Sequence, residues 1–232
     1  CSRDDGTPAA QLKVFAASSL TDAFTELGRA FEASHPDIEV TFNFAASSAL
    51  ATQISEGTPA DVFAAADTVS MGRVVSDGGS TGEPLVFATN TAQIIVGPGN
   101  PQGITSLDDL TDSGLIVIAC DPEVPCGRYA QQILAAAGLE VTFRSFEENA
   151  RAVTSKVVLG EADAGIVYRT DVVAAASNAA AVDIPTDVNV VAEYPIAVTP
   201  QSSDPDAARA FVDFVRSPQG QAILASFGFG PP

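Results

Sequence analysis

Residues 12–31 read LKVFAASSLTDAFTELGRAF, and a change of period inside this stretch decides the fold class. LKVFAA (12–17) is a short apolar run of strand type. Beyond it, Leu20, Ala23, Phe24, Leu27, Ala30 and Phe31 fall on one face at helical spacing. The turn between the two periods is made by Ser18 and Ser19. A strand that passes through small polar residues into an amphipathic helix is the first half of a β-α-β unit.

The same alternation continues outward to the C-terminus. Ile38–Phe44 alternates as a strand, and Ser48–Glu56 is a short helix stopped by Gly57. Asp61–Ala65 is a buried strand, followed by a helix through Met71 and Val74. Two strands are expected at Leu85–Phe87 and Ala92–Val96, with a loop at 97–103. Leu107–Leu110 forms a helical turn and Leu115–Ala119 a buried strand. A helix entered at Tyr129 carries Ala130, Ile133, Leu134 and Ala137 on one face and ends at Gly138. Val141–Phe146 is a strand, and Ala150, Val153 and Val157 mark a helix ended by Gly160. Ala164–Val167 is buried strand, Val190–Val198 extended chain broken by Pro195, and Pro205–Ser226 two helices about Ser217-Pro218. The pattern is that of an α/β protein with mostly parallel sheets.

Composition narrows the function. Of 232 residues, 11 are Lys or Arg and 29 are Asp or Glu, so the formal charge is −18. This acidity, with Lys only at positions 13 and 156, argues against the clustered cations that nucleic acid or an anionic lipid surface requires. No apolar run reaches the roughly 18–20 residues needed to span a bilayer. Cys1 followed by the polar run SRDDGTPAAQ resembles a mature bacterial lipoprotein, with lipid on Cys1 and residues 1–10 as a flexible tether. The alternative is an unmodified terminal thiol. Cys120 and Cys126 close the short loop CDPEVPC and, outside the cytoplasm, read as a disulfide. A metal site is disfavoured, because the sequence has one His and no further thiols.

In α/β folds ligands sit at the carboxyl ends of strands, against the starts of the helices that follow. Four such junctions stand out: AASSLTD (16–22), FAASSA (44–49), DPEVPCG (121–127) and NAR (149–151). Each offers free backbone N–H groups at a helix N-terminus, and the first two add serine hydroxyls. Ser19 and Asp22 also have the spacing of a helix-capping pair. A fully ionised oxyanion presents only acceptors, so neutral donors suffice to hold it. There is no P-loop, no H-E-x-x-H and no G-x-S-x-G in the chain. The single histidine, His35, is expected as an exposed helix-end residue beside Pro36, and the pairs Asp108/Asp109 and Glu147/Glu148 as solvated residues near helix starts.

Six segments taken together resemble one family: VFAASSLTDAF, FNFAASSALATQI, GTPADVFAAAD, CDPEVPCGRYA, GIVYRTD and EYPIAV. They occur in the order found in molybdate-binding proteins of bacterial ABC importers, across residues 13–229. The resemblance implies a two-lobed periplasmic-binding-protein fold, with the ligand cleft between lobes formed by 11–88 plus 196–232 and by 89–195. It implies hinges near Ala88–Asn90 and Tyr194–Ile196, molybdate or tungstate as ligand, no cofactor, and a permease with its ATPase as partners of a monomeric, extracytoplasmic protein without catalytic activity. It places the oxyanion contacts on the hydroxyls and amides of Ser19 and Ser47, the amides of Cys126 and Ala150, and the hydroxyl of Tyr168, with no side chain binding the metal directly. Cys126 stands where the family usually has a small residue. Tyr168 taken alone reads equally as a core tyrosine satisfied by a neighbour. A receptor for sulfate or phosphate, or an enzyme on the same fold, are the alternative readings.

Overall fold

The computed structural model describes residues 10–232. Cys1 and most of the expected tether lie outside the described residues, and Ala10 already belongs to the first strand. In chain order the strands are β1 (Ala10–Ala17), β2 (Ile38–Ala45), β3 (Val62–Ala64), β4 (Leu85–Val96), β5 (Val117–Cys120), β6 (Phe146–Glu147), β7 (Ala164–Tyr168), β8 (Ala180–Asp183) and β9 (Val191–Val198). The helices are α1 (Thr21–Ser34), α2 (Ser47–Ser55), α3 (Thr68–Ser76), α4 (Pro125–Ala137), α5 (Ala150–Val158), α6 (Arg169–Ala175), α7 (Pro205–Arg216) and α8 (Pro218–Ser226). Among the described residues, no helix is long and apolar enough to cross a membrane.

The strands run in the order β2-β1-β3-β9-β4-β7-β5-β6, with β8 also paired to β4. β1 pairs in parallel with β2 and β3, and β5 in parallel with β6 and β7. The remaining pairings, β3–β9, β4–β9, β4–β7 and β4–β8, are antiparallel. The sheet is therefore mixed rather than mostly parallel. The antiparallel contacts arise where the chain crosses from one group of strands to the other and back, so β4 and β9 run in opposite directions. The first half of β4 pairs with β9, and its second half with β7 and β8.

Several local expectations are corrected. Leu85–Val96 is one strand and not two, because backbone pairing with β9 carries it through the polar triplet Thr89-Asn90-Thr91. β9 runs unbroken through Pro195. The proline faces a register shift between Val86 and Ala88, where a missing N–H is tolerated, and its carbonyl accepts the Ala65 N–H. Of the segment 141–146 only Phe146 is strand, opening the two-residue β6 with Glu147; Val141 and Phe143 instead pack as half-buried side chains on a core. α4 begins at Pro125, four residues before Tyr129. Proline at the first helical position has a preset φ and no N–H to leave unpaired. α4 ends as the sequence requires, with Gly138 left-handed at φ 68°.

Three cores hold the frame. The largest gathers Phe24, Phe31, Phe87 and Phe211, with Phe24 and Phe87 5.6 Å apart between ring centres and Phe31 and Phe211 5.3 Å apart. Each such ring contributes on the order of 1.5–3 kcal/mol through burial. A second core, including Ile94, Ile133 and Ile166, lies beneath α4. A third, including Leu50, Ile54, Phe63 and Met71, lies beneath α2 and α3. The packing fixes the helix axes, and with them the direction in which each helix N-terminus points.

Candidate functional site

Four helix starts converge on one cavity of about 210 Å³, counted out to its mouth. Its walls come from the end of β1 and the turn after it (Ala17, Ser18, Ser19), from the entry to α2 (Ala45, Ala46, Ser47) and Ala66, from the start of α4 (Val124, Pro125, Cys126), from the start of α5 (Asn149, Ala150), and from Tyr168. All five residues expected to contact an oxyanion, Ser19, Ser47, Cys126, Ala150 and Tyr168, are among them. Among the described residues, no Lys or Arg lines the cavity.

Several of the helix starts around the cavity lack a side-chain cap, although α5, which also borders it, has one. α3, α5, α7 and α8 have side-chain caps, supplied by Asp67, Asn149, Asp204 and Ser217. α1, α2 and α4 have none. The entries to α2 and α4 line the cavity, and so does the 3-10 turn Ser18–Leu20 that leads into α1. Helix starts expose unpaired N–H groups, and a buried start without a cap needs another acceptor. The expected Ser19/Asp22 capping pair is not formed. The Ser19 hydroxyl turns to the Tyr194 hydroxyl at 2.9 Å, and Asp22 pairs with Arg151 at 2.9 Å.

Each hydroxyl has a distinct hydrogen-bonding state. Ser47 is 1% exposed, and its Oγ accepts the Ala66 N–H at 2.9 Å. One lone pair of Ser47 is thereby occupied, and its proton remains available. The Tyr168 hydroxyl is buried without any hydrogen-bond partner. Burial, and after it the neighbouring Tyr194, Tyr129, Asp67 and Asp171, push its pKa well above the usual value, so it stays a neutral donor. A buried unpaired hydroxyl is costly and is accounted for by a ligand more readily than by packing. Asp171, fully buried in the first turn of α6, accepts the Tyr168 N–H at 3.1 Å and fixes that residue's backbone. Burial raises the Asp171 carboxyl to about 7, against the lowering effect of the Tyr168 N–H and Arg151.

The Cys120 and Cys126 sulfurs lie 2.07 Å apart, with Cα atoms at 5.8 Å. The link joins the end of β5 to the first turn of α4 and holds the Cys126 amide at the cavity wall. Gly127 allows the same close turn: a Cβ there would meet the Asp121 carbonyl oxygen at 2.0 Å.

Two ion pairs flank the cavity, each joining elements on either side of it. Arg128 of α4 reaches Asp67, with Nε–Oδ2 at 3.1 Å and a closer Nη2 contact, and Arg151 of α5 reaches Asp22 of α1. Both arginines are thus engaged with side chains outside the cavity lining. Sequence reasoning missed Asp67 and Arg128, although an Asp three residues before Ser70 at a helix start is a recognisable cap signal. It also missed Asn90, Thr170 and the hydrogen bonds of Tyr194. His35 stands at the far end of α1, half-buried and stacked on Phe31 at 4.1 Å, rather than freely exposed. Glu147 is likewise covered, bonded by Ser145 and Lys156 at 2.6 Å each.

Two groups of strands joined by two crossing strands, with a small donor-lined cavity at the helix starts, define an α/β substrate-binding protein of the periplasmic-binding-protein fold. The chain belongs to the bacterial extracellular solute-binding protein family, whose pattern matches residues 12–230. It is 44% identical over 224 residues to the molybdate-binding protein ModA of Mycobacterium tuberculosis, covering 97% of this chain and 86% of that protein. It is 31% identical to the molybdate-binding protein ModA of Escherichia coli, covering 94% and 88%. Among solved structures, the sulfate-binding protein SubI of M. tuberculosis matches with a TM-score of 0.87 at 22% identity, over 96% of this chain and 87% of that one. The periplasmic molybdate-binding protein of Azotobacter vinelandii matches at 0.84 and 22%, over 95% and 99%. At that identity the two structures speak to the fold alone.

Proposed function

We propose that this protein is the extracytoplasmic substrate-binding component of a molybdate importer, and that it also accepts tungstate. In this reading the dianion is held by neutral donors: the hydroxyls and amides of Ser19 and Ser47, the amides of Cys126 and Ala150, and the hydroxyl of Tyr168. The observation that carries it is the unpartnered Tyr168 hydroxyl, buried in a cavity lined by helix starts and, among the described residues, by no cation. The 44% identity to a molybdate-binding protein supports the choice of anion.

Residues 11–88 with 196–232 then form one lobe and 89–195 the other, hinged near Ala88–Asn90 and Tyr194–Ile196. Closure brings Ser19 and Ser47 of the first lobe against Cys126, Ala150 and Tyr168 of the second. The partners are a membrane permease and its ATPase, which receive the anion from a monomeric receptor that performs no chemistry on it. Sulfate has shorter bonds to oxygen, so donors fixed around a larger tetrahedron do not all reach it. Each hydrogen bond left unmade to a buried charge costs about 1.5–3 kcal/mol. Calorimetric titration with molybdate, tungstate, sulfate and phosphate tests the reading. Molybdate and tungstate should bind at least tenfold tighter than the other two, and sulfate or phosphate binding tighter than molybdate would replace this reading with another receptor.

A further inference from the structure

The Ser19 hydroxyl can serve an anion only if its proton points into the cavity, and a buried hydrogen-bond chain outside the cavity decides where that proton goes. The chain starts at Asn90 in β4. Its Oδ1 accepts the Thr91 N–H at 3.0 Å, which fixes the orientation of the amide. Its Nδ2 therefore faces the other way and donates twice, to the Thr170 Oγ1 at 2.9 Å and to the Tyr194 hydroxyl at 3.3 Å. Asn90 Nδ2 offers the Tyr194 hydroxyl only a donor, so the acceptor within reach of the Tyr194 proton is the Ser19 Oγ, 2.9 Å away. Tyr194 is fully buried, and burial first of all pushes its pKa far above the usual value, so it keeps that proton. The Ser19 oxygen is then an acceptor toward Tyr194, and its single proton is directed elsewhere.

The geometry points to Tyr194 and Asn90 as positioning residues that fix Ser19 as a hydrogen-bond donor to the bound oxyanion, an inference that rests on the oxyanion-receptor reading above. Neither residue touches the cavity. Both lie on the strands that cross between the two groups, and the chain of four side chains runs from Ser19 at the cavity to Thr170 in the first turn of α6. The effect is preorganisation. A serine hydroxyl free to rotate samples three staggered wells, whereas this one is held with its proton toward the ligand.

A double-mutant cycle read by calorimetry with sodium molybdate tests this. Tyr194→Phe should weaken binding about three- to tenfold, the cost of releasing one hydroxyl rotor. In a Ser19→Ala background the same change should cost nothing further, because the group it positions is gone. In a Ser47→Ala background the two losses should multiply, since Ser47 takes its hydrogen bond from Ala66 instead. A purely structural role for Tyr194 would give the same loss in all three backgrounds, and that result, or an unchanged affinity in Tyr194→Phe alone, overturns the relay while molybdate binding by the unmodified protein leaves the receptor reading intact. Absence of molybdate binding by the unmodified protein overturns both. Should Tyr194→Phe not yield folded protein, Asn90→Ala in the same cycle carries the same criterion, because it removes the donor that sets the direction of the chain.

Discussion

The Asp67 carboxylate holds two elements at once: Oδ1 accepts the Ser70 N–H at 2.9 Å and caps α3, while Oδ2 receives the guanidinium of Arg128 from α4. Asp67 is 3% exposed and Arg128 23%, so the pair is largely shielded from solvent. Removing the cation leaves a buried carboxylate with one backbone partner. Arg128→Gln should therefore cost about 1–3 kcal/mol of stability, a fall of several degrees in Tm for a chain of this size. It should also weaken molybdate binding, because Asp67 adjoins Ala66 and Arg128 lies two residues beyond Cys126, both of which line the cavity. The Arg151–Asp22 pair is 48% and 40% exposed, and Arg151→Gln should cost no more than about 1 kcal/mol. Thermal unfolding of both variants decides the matter; equal losses would show that burial is not what distinguishes the pairs.

The Cys120–Cys126 pair should be oxidised in protein recovered from an oxidising compartment. A loop this short contributes about 2 kcal/mol through chain entropy, and its local effect is to hold the first turn of α4. Thiol counting under denaturing, non-reducing conditions should find neither cysteine free. Reduction should lower Tm and reduce molybdate affinity together, and a loss of stability with unchanged affinity would detach the link from the site.

Asp171 gives a pH dependence of definite sign. Its carboxyl is raised by burial from 3.8 to about 7 in the folded chain, so between those values the folded state binds the extra proton. Its contribution to stability is complete below about 4 and is lost as pH rises through about 7. Asp171→Asn keeps an oxygen to accept the Tyr168 N–H and removes the ionisation. The variant should gain stability relative to the parent protein as pH rises from 5 to 8, and the two should differ little at pH 4. Parallel stability curves across that range would refute the buried ionisation.

Much of this fold is legible in the sequence because its signals are local. The strand-to-helix change of period at Ser18-Ser19, the glycine stop at Gly138 and the proline at Ser217-Pro218 each act within a few residues. The same is true of the small polar turns that face the cavity. What is not legible depends on partners distant in the chain. β4 continues through Thr89-Asn90-Thr91 because β9 pairs with it about a hundred residues later. Ser19 fails to cap α1 because Tyr194, 175 residues away, takes its hydroxyl. Asp67 and Arg128, 61 residues apart, look like ordinary surface charges until the fold brings them together. The donors can be read from motifs, but the groups that orient them cannot.

Tyr168 should show opposite signs with and without ligand. Its hydroxyl is buried and unpaired in the described structure, and a buried unsatisfied hydroxyl costs about 1–3 kcal/mol. Tyr168→Phe removes that oxygen and keeps the ring, which packs edge-on against Tyr129 at 6.3 Å and Tyr194 at 5.9 Å. In the absence of oxyanion the variant should be as stable as the parent protein or more so. In the presence of molybdate it should lose a donor to a doubly charged ion, worth about 1.5–3 kcal/mol, or roughly 10- to 150-fold in affinity. The ligand-induced rise in Tm should shrink accordingly, because that rise follows the ratio of ligand concentration to dissociation constant. Paired melting curves with and without molybdate, together with calorimetry, measure both signs. A variant that loses stability in both states would identify Tyr168 as a packing residue whose hydroxyl has a partner after all, and a variant with undiminished affinity would remove it from the site.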